Sequence, residues 1–384
     1  MRTAVKLAWI GMSVLLGGCS ALSSLNPFAD KERNPPAPLV DFKPTLAVRT
    51  AWTVPVAKAR AFTFSPAFAN GNLFAAGADG TLIRVDPASG NEIWRINAGT
   101  RLSAGVGSDG LTVAVAGEKG VLLAFDAEGK LRWKAQASSE ILSAPAVGQG
   151  LVIVRSVDNR IAAYDADTGT RRWVVQRSTP PLTLRTAPGI AIAGPSAFVA
   201  LPGGRLVALA LSNGGARWEA AVGDPRGTTE LERIADVSGA PVAAGRDVCA
   251  VAYQGRVACF DAVTGTPRWA RELSSDVGLA VDERFVFVPD DRGAVNAFTR
   301  DTGTGVWRND KLANRRLSVP VSFGRAVVVG DMQGFVHFLS REDGSFLARA
   351  RTDGSPIIPA SPLIAGSNLI FQTQAGKLVA LTTE

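Results

Sequence analysis

A unit of about forty residues recurs along almost the whole chain, and no other feature restricts the fold so tightly. The first copy runs Ala78-Asp79-Gly80-Thr81-Leu82-Ile83-Arg84-Val85-Asp86, followed by Ser89-Gly90 and Trp94. Further copies span Gly120 to Trp133, Asp158 to Trp173, Gly204 to Trp218, Gly255 to Trp269 and Gly293 to Trp307. The next, Gly334 to Ala348, carries Ala348 in the Trp position, and a last copy begins at Gly376 and meets the C-terminus. Counted from Trp52, successive Trp residues lie 42, 39, 40, 45, 51 and 38 apart, and Ala348 follows Trp307 by 41.

Within a copy, short apolar runs alternate with Gly, Asp and Asn. Leu151 to Val154 and Ile161 to Tyr164 bracket an Asp158-Asn159 turn, and a second turn at Asp165 to Gly169 precedes Trp173. That punctuation predicts antiparallel strands of a few residues and no helix of useful length. Four such strands in about forty residues make a propeller blade, with one Trp per blade as a flat apolar surface between neighbouring sheets. The truncated last copy lacks its Trp strand, and Ala51-Trp52-Thr53-Val54 is an orphan strand of that type. Pairing the two predicts an all-β, eight-bladed propeller over residues 46–384, closed by the N-terminal strand, which hides two sheet edges.

Ahead of the repeats, residues 1–18 read as a secretory signal. Arg2 and Lys6 precede the apolar run Leu7 to Leu16, which is too short to span a bilayer permanently. The run ends Leu16-Gly17-Gly18-Cys19, which resembles a bacterial lipobox and implies a mature chain acylated on Cys19. Cleavage removes Arg2 and Lys6 and no acid, taking the formal net charge from +7 to +5. Ser20, where Asp would favour inner-membrane retention, points by that resemblance to the outer membrane. Residues 19–45, with Asn34-Pro35-Pro36-Ala37-Pro38, read as a lipidated, flexible tether.

Composition removes several functions. One His and three Cys are too few soft ligands for a structural zinc or iron–sulfur site. His337 is the lone imidazole on which Ser–His or Cys–His chemistry would have to be built. Basic residues are scattered, with no cluster larger than a pair such as Arg315-Arg316, so nucleic acid is not an expected partner.

The Leu-x-Ala-Leu/Phe/Tyr-Asp-x-x-Thr-Gly-x-x-x-Trp pattern resembles the repeat of pyrroloquinoline quinone dehydrogenases. Such enzymes need a Ca²⁺ cage, a carboxylate base and a platform over the cofactor. This chain lacks their vicinal Cys pair and their long insertions, and its acids mostly fall at turns such as Asp86, Asp126, Asp165 and Asp261. With the lipobox and eight blades, the whole mature chain instead resembles the BamB family, lipoproteins of the outer-membrane β-barrel assembly machinery. The resemblance implies a non-enzymatic scaffold without cofactor, lipid-anchored at the periplasmic face of the outer membrane. It also implies BamA as partner, support for folding and insertion of outer-membrane proteins, and possible contact with those proteins while unfolded. A quinone dehydrogenase and a periplasmic ligand-binding propeller are the alternatives.

Two stretches sharpen the resemblance: Leu182-Thr183-Leu184-Arg185, and Thr228 to Val237. By resemblance Leu182, Leu184, Arg185 and Asp236 are BamA-binding positions, whereas Ser238 stands where the family has a second acid. Spacing points to the same places, because the two longest Trp steps add residues at about 177–186 and 222–237, after the Trp strands of the third and fourth blades. Inter-blade connections emerge on one face, so the two enlarged loops should be neighbours there. After Pro180-Pro181 an extended segment would point Leu182 and Leu184 the same way, with Arg185 toward the rim. Asp236 would pair with Arg185 or with a basic group of the partner.

Cys249 and Cys259 flank the Gln254-Gly255 turn. A two-residue loop puts them on opposite faces, and a three-residue loop at Tyr253-Gln254-Gly255 sets them opposite each other. Two buried free thiols is the preferred reading, with a disulfide as the alternative.

Overall fold

The computed structural model describes residues 34–184, 188–360 and 362–384. From Ala37 onward the chain forms one compact unit. Its strands make eight four-stranded antiparallel sheets, and the other regular element among the described residues is a single 3-10 turn, Glu118–Gly120. Seven blades use four consecutive strands each: residues 67–97, 102–136, 146–176, 190–221, 237–272, 280–309 and 321–351, numbered blades 1 to 7. Blade 8 joins Leu363–Ala365, Asn368–Gln372 and Lys377–Thr383 to Val48–Pro55. Trp52 there pairs with Ala380 and Val54 with Leu378, the expected closure by the N-terminal strand.

Burial explains the strand patterns. A middle strand is covered by a neighbouring blade on both faces, so Ser196–Leu201 is buried along its length. An outer strand is covered less, and in Arg171–Gln176 Trp173 is buried between exposed neighbours. The apolar side chains accordingly pack between blades. Ile153 and Ile161 of blade 3 meet Val199 and Val207 of blade 4. Across the closure, Trp52 and Val54 meet Leu73 and Ile83 of blade 1.

Every Trp of the repeat also reaches one blade ahead. Its indole N–H donates to a main-chain carbonyl in the next blade's turn, as with Trp133 to Ala166 at 2.8 Å and Trp307 to Arg341 at 2.8 Å. In blade 8 that turn is missing, because Lys377–Thr383 and Val48–Pro55 are not consecutive in the chain. Ala348 occurs at that one step, buried in a cluster against which Leu46 and Val48 pack.

The Cys register resolves as the three-residue loop. Cys249 pairs directly with Cys259, Cα atoms 4.1 Å apart, and the two form a disulfide within blade 5. The preferred reading of two free thiols is thus corrected. Gln254, in the middle of the loop, takes a left-handed φ of 49°, which lets the third residue fit.

A second departure concerns the tether, expected to run to residue 45. The chain is held against the disc from Ala37, crossing the outer edge of blade 7. The amide of Ala37 donates to Ala313 O at 2.9 Å, and those of Thr45 and Leu46 donate to Leu347 O at 2.9 and 3.2 Å. Phe42 stacks on Phe346 with centroids 5.2 Å apart. Arg315 donates to Ala37 O at 2.8 Å, Arg349 to Val40 O at 3.0 Å, and Arg325 to Thr45 O.

Two of those arginines belong to a buried polar group. Asp331 accepts from Arg315 Nε at 2.7 Å and meets His337 Nε2 at 2.9 Å, and Arg349 Nε donates to His337 Nδ1 at 3.3 Å. Burial is the main cause that holds the His337 imidazole below its ordinary pKa. Asp331 opposes that shift, and the positive charges of Arg349 and Arg315 reinforce it.

Candidate functional site

The two enlarged loops lie together, as their spacing implied. Asp236, in the loop after blade 4, is 3% exposed. Its Oδ2 accepts from the amide of Leu184 at 2.5 Å, and its Oδ1 from the amide of Gly203 at 2.9 Å. One carboxylate therefore ties the loop after blade 3 to a turn of blade 4. Desolvation is the main cause that raises the Asp236 pKa, and the two amide bonds oppose it.

This placement changes the expected role of Asp236. Both of its oxygens are engaged by backbone N–H groups, so it positions the loop and is not presented to a partner. The leucines differ as well. Leu182 is 43% exposed, whereas Leu184 is half-buried and lines a cavity, so they do not form one outward knob pair. Arg185 lies outside the described residues, as does Cys19. Ser238 is buried, its hydroxyl donating to Asp236 O at 3.4 Å.

The loop after blade 4 is stiffened by Thr229-Glu230-Leu231-Glu232. The Glu232 amide donates to Thr229 Oγ1 at 3.3 Å, and Glu232 Oε2 accepts from the Thr229 amide at 3.0 Å. These reciprocal bonds are those of a capping box, here closing a single turn in which Arg233 N donates to Thr229 O at 3.2 Å. The amides of Thr229 and Thr228, both donating to Oε2, hold the Glu232 carboxyl below its ordinary range. At the tip Leu231 is 69% exposed, an apolar side chain that the sequence reading passed over.

Beneath Leu184 is a cavity of about 240 Å³, whose walls include Val157, Pro202, Asp236 and Arg155. Arg155 and Val157 were not among the predicted site residues. The available signal is Arg155 itself, a cation that ends the otherwise apolar strand Leu151–Arg155.

The chemistry offered is recognition. The turn acids are occupied structurally: Asp261 Oδ1 accepts from the amides of Val263 and Thr264 at 3.0 and 2.9 Å. Among the described residues no three of His, Cys, Asp and Glu are grouped so as to hold a metal ion.

Comparison with known proteins agrees with this geometry. The family profile described as "Outer membrane protein assembly factor BamB" matches residues 78–309 and 291–384. A protein of that name from Bordetella pertussis is 44% identical over 378 residues, covering 97% of this chain and 96% of the relative. One from Burkholderia pseudomallei is 44% identical over 376 residues, covering 98% and 97%. The crystal structure of BamB from Moraxella catarrhalis superposes with a TM-score of 0.80 at 26% identity, covering 88% of this chain and all of that one. A quinohemoprotein alcohol dehydrogenase from Comamonas testosteroni superposes with a TM-score of 0.69 at 14% identity, covering 88% of this chain and 76% of the enzyme. That second likeness is one of fold alone. By profile and by full-length similarity, the chain belongs to the BamB family of outer membrane protein assembly factors.

Proposed function

We propose that this chain is a non-enzymatic scaffold of the outer-membrane β-barrel assembly machinery, docking on the periplasmic domains of BamA through the loops after blades 3 and 4. The observation that carries the reading is the Asp236 tie, which unites the two longest inter-blade loops beside exposed Leu182. Rigid loops that present apolar side chains lose little freedom on binding, which favours affinity. Acyl chains on Cys19 hold the disc at the periplasmic face of the outer membrane, and each buried methylene contributes about 0.8 kcal/mol.

The working step is association, and no bond is made or broken. Unfolded outer-membrane proteins are a second class of partner, reached by strand addition to an outer blade edge. Blade 7 is the least open to this, since residues 37–46 already cover its outer strand.

Detergent pull-down from native membranes tests the docking. Wild-type chain should retain BamA, and the double variant Leu184→Ala/Arg185→Ala should lose it while keeping the parent's unfolding midpoint. Retention by the folded double variant moves the interface to another face. Cys19→Ala should leave an unprocessed or mislocalised chain, and a mature N-terminus downstream of Cys19 without acyl mass overturns the anchor.

A further inference from the structure

Arg155 is placed unusually for a cation at the end of an apolar strand. Arg155 lines the cavity beneath Leu184, and its Nε is buried without a partner. Among the described residues its side-chain hydrogen bond runs from Nη1 to Asn159 Oδ1, at 3.3 Å. Asp236 lines the same cavity and attracts Arg155 electrostatically, but its oxygens are given to the amides of Leu184 and Gly203. Among the described residues, the guanidinium thus keeps a buried Nε donor without an acceptor. Burial depresses its pKa to about 10, with the Asp236 charge opposing, so it stays cationic at neutral pH. A desolvated guanidinium is well matched by a carboxylate, whose two oxygens accept parallel N–H bonds.

We infer that the cavity beneath Leu184 receives an acidic side chain of the docking partner, its carboxylate on Arg155 and its methylenes against Val157, Leu184 and Pro202. The cavity, at about 240 Å³, is several times the roughly 30 Å³ share of one water, so a carboxylate with its stem has room. Asp236 sets the charge class. Its carboxylate already offsets part of the Arg155 charge, so a dianion such as phosphate would be repelled more strongly than the single charge of a carboxylate. The inference rests on the docking reading and deepens it: exposed Leu182 would supply apolar contact, and Arg155 selectivity for an acid.

The test uses full-length, lipidated chain in detergent, titrated against the purified periplasmic portion of BamA. Arg155→Gln removes the charge. Val157→Asp supplies a carboxylate from the chain itself, occupying the cavity and pairing Arg155 internally. Val157→Asn makes the same change of shape without the charge. Arg155→Gln and Val157→Asp should each bind at least about thirtyfold more weakly than parent, the usual effect of unpairing or pre-empting a desolvated charge. Val157→Asn should stay within about threefold of the parent, and unfolding midpoints should show that the variants are folded. If Arg155→Gln fails to fold, the Val157 pair decides. Parent binding with folded Arg155→Gln or Val157→Asp within about threefold overturns the acid-pocket inference and leaves the docking reading standing. A parent that does not bind overturns both.

Discussion

The indole of Trp269 lies so close against Gly303 of the next blade that a Cβ on Gly303 would sit 2.4 Å from the ring. Trp269 Nε1 also donates to Arg300 O in the same turn at 2.6 Å, and Gly303 holds a left-handed φ of 64°. Trp and Gly are thus one contact seen from two blades, which explains why they recur together. Gly303→Ala should destabilise the whole domain by about 3 kcal/mol or more, since it combines collision with backbone strain. Denaturant unfolding checks this, and a loss below about 1 kcal/mol would contradict the packing.

Removing residues 51–54 should destabilise all eight blades together. It deletes the Trp52–Ala380 and Val54–Leu378 pairings and bares the edge of Lys377–Thr383. Loss of one buried Trp alone costs on the order of 3 kcal/mol or more. A single unfolding transition at a lower midpoint is expected. Two transitions would mean that the closure does not couple the ring.

The Cys249–Cys259 bridge closes a short loop, with a sequence separation of 10. Replacing both cysteines by Ala should cost about 2 to 3 kcal/mol. Thiol counting under denaturing, non-reducing conditions should find neither sulfur free.

Asp236→Ala should weaken partner binding about as much as Leu184→Ala, because it releases two backbone amides and frees the loop they hold. Limited proteolysis should then cut within residues 177–189, which the parent resists. An unchanged cleavage pattern would count against the tie.

Acid should weaken the fold through His337. Its folded pKa lies below the ordinary value of 6.5, so between the two the unfolded chain binds a proton that the folded chain refuses. Stability from this group is complete above about pH 6.5 and falls as the pH drops from there toward the folded pKa. Asp331, held below its ordinary 3.8 despite desolvation, through its bonds to His337, Phe335 N and Arg315, adds a further loss in stronger acid. Thermal midpoints from pH 7 to pH 5 should decline in the parent, and less in His337→Gln.

Blade number, strand order and closure were legible because Trp, Gly and turn Asp recur at fixed offsets, each with one structural meaning. The register at Cys249 was not, because a turn of two or three residues around Gln254-Gly255 fits the same pattern. The neighbouring loops followed from the Trp steps, but the work of Asp236 did not. Its partners are backbone amides, which no side-chain pattern announces. Residues 37–45 read as tether for a similar reason: their contacts are with Arg315, Arg325 and Arg349, far along the chain and unmarked by any local period.

The segment crossing blade 7 has a mechanical consequence. Any pull on the chain from its N-terminal side arrives at Ala37, where Arg315 and the Ala313 carbonyl grip it. The force must then free Val40 from Arg349 and Phe42 from Phe346 before it can load Val48–Pro55, the strand that closes the ring. Residues 37–46 act as the strain relief on a cable does, giving way a few contacts at a time so that tension spares the joint behind them.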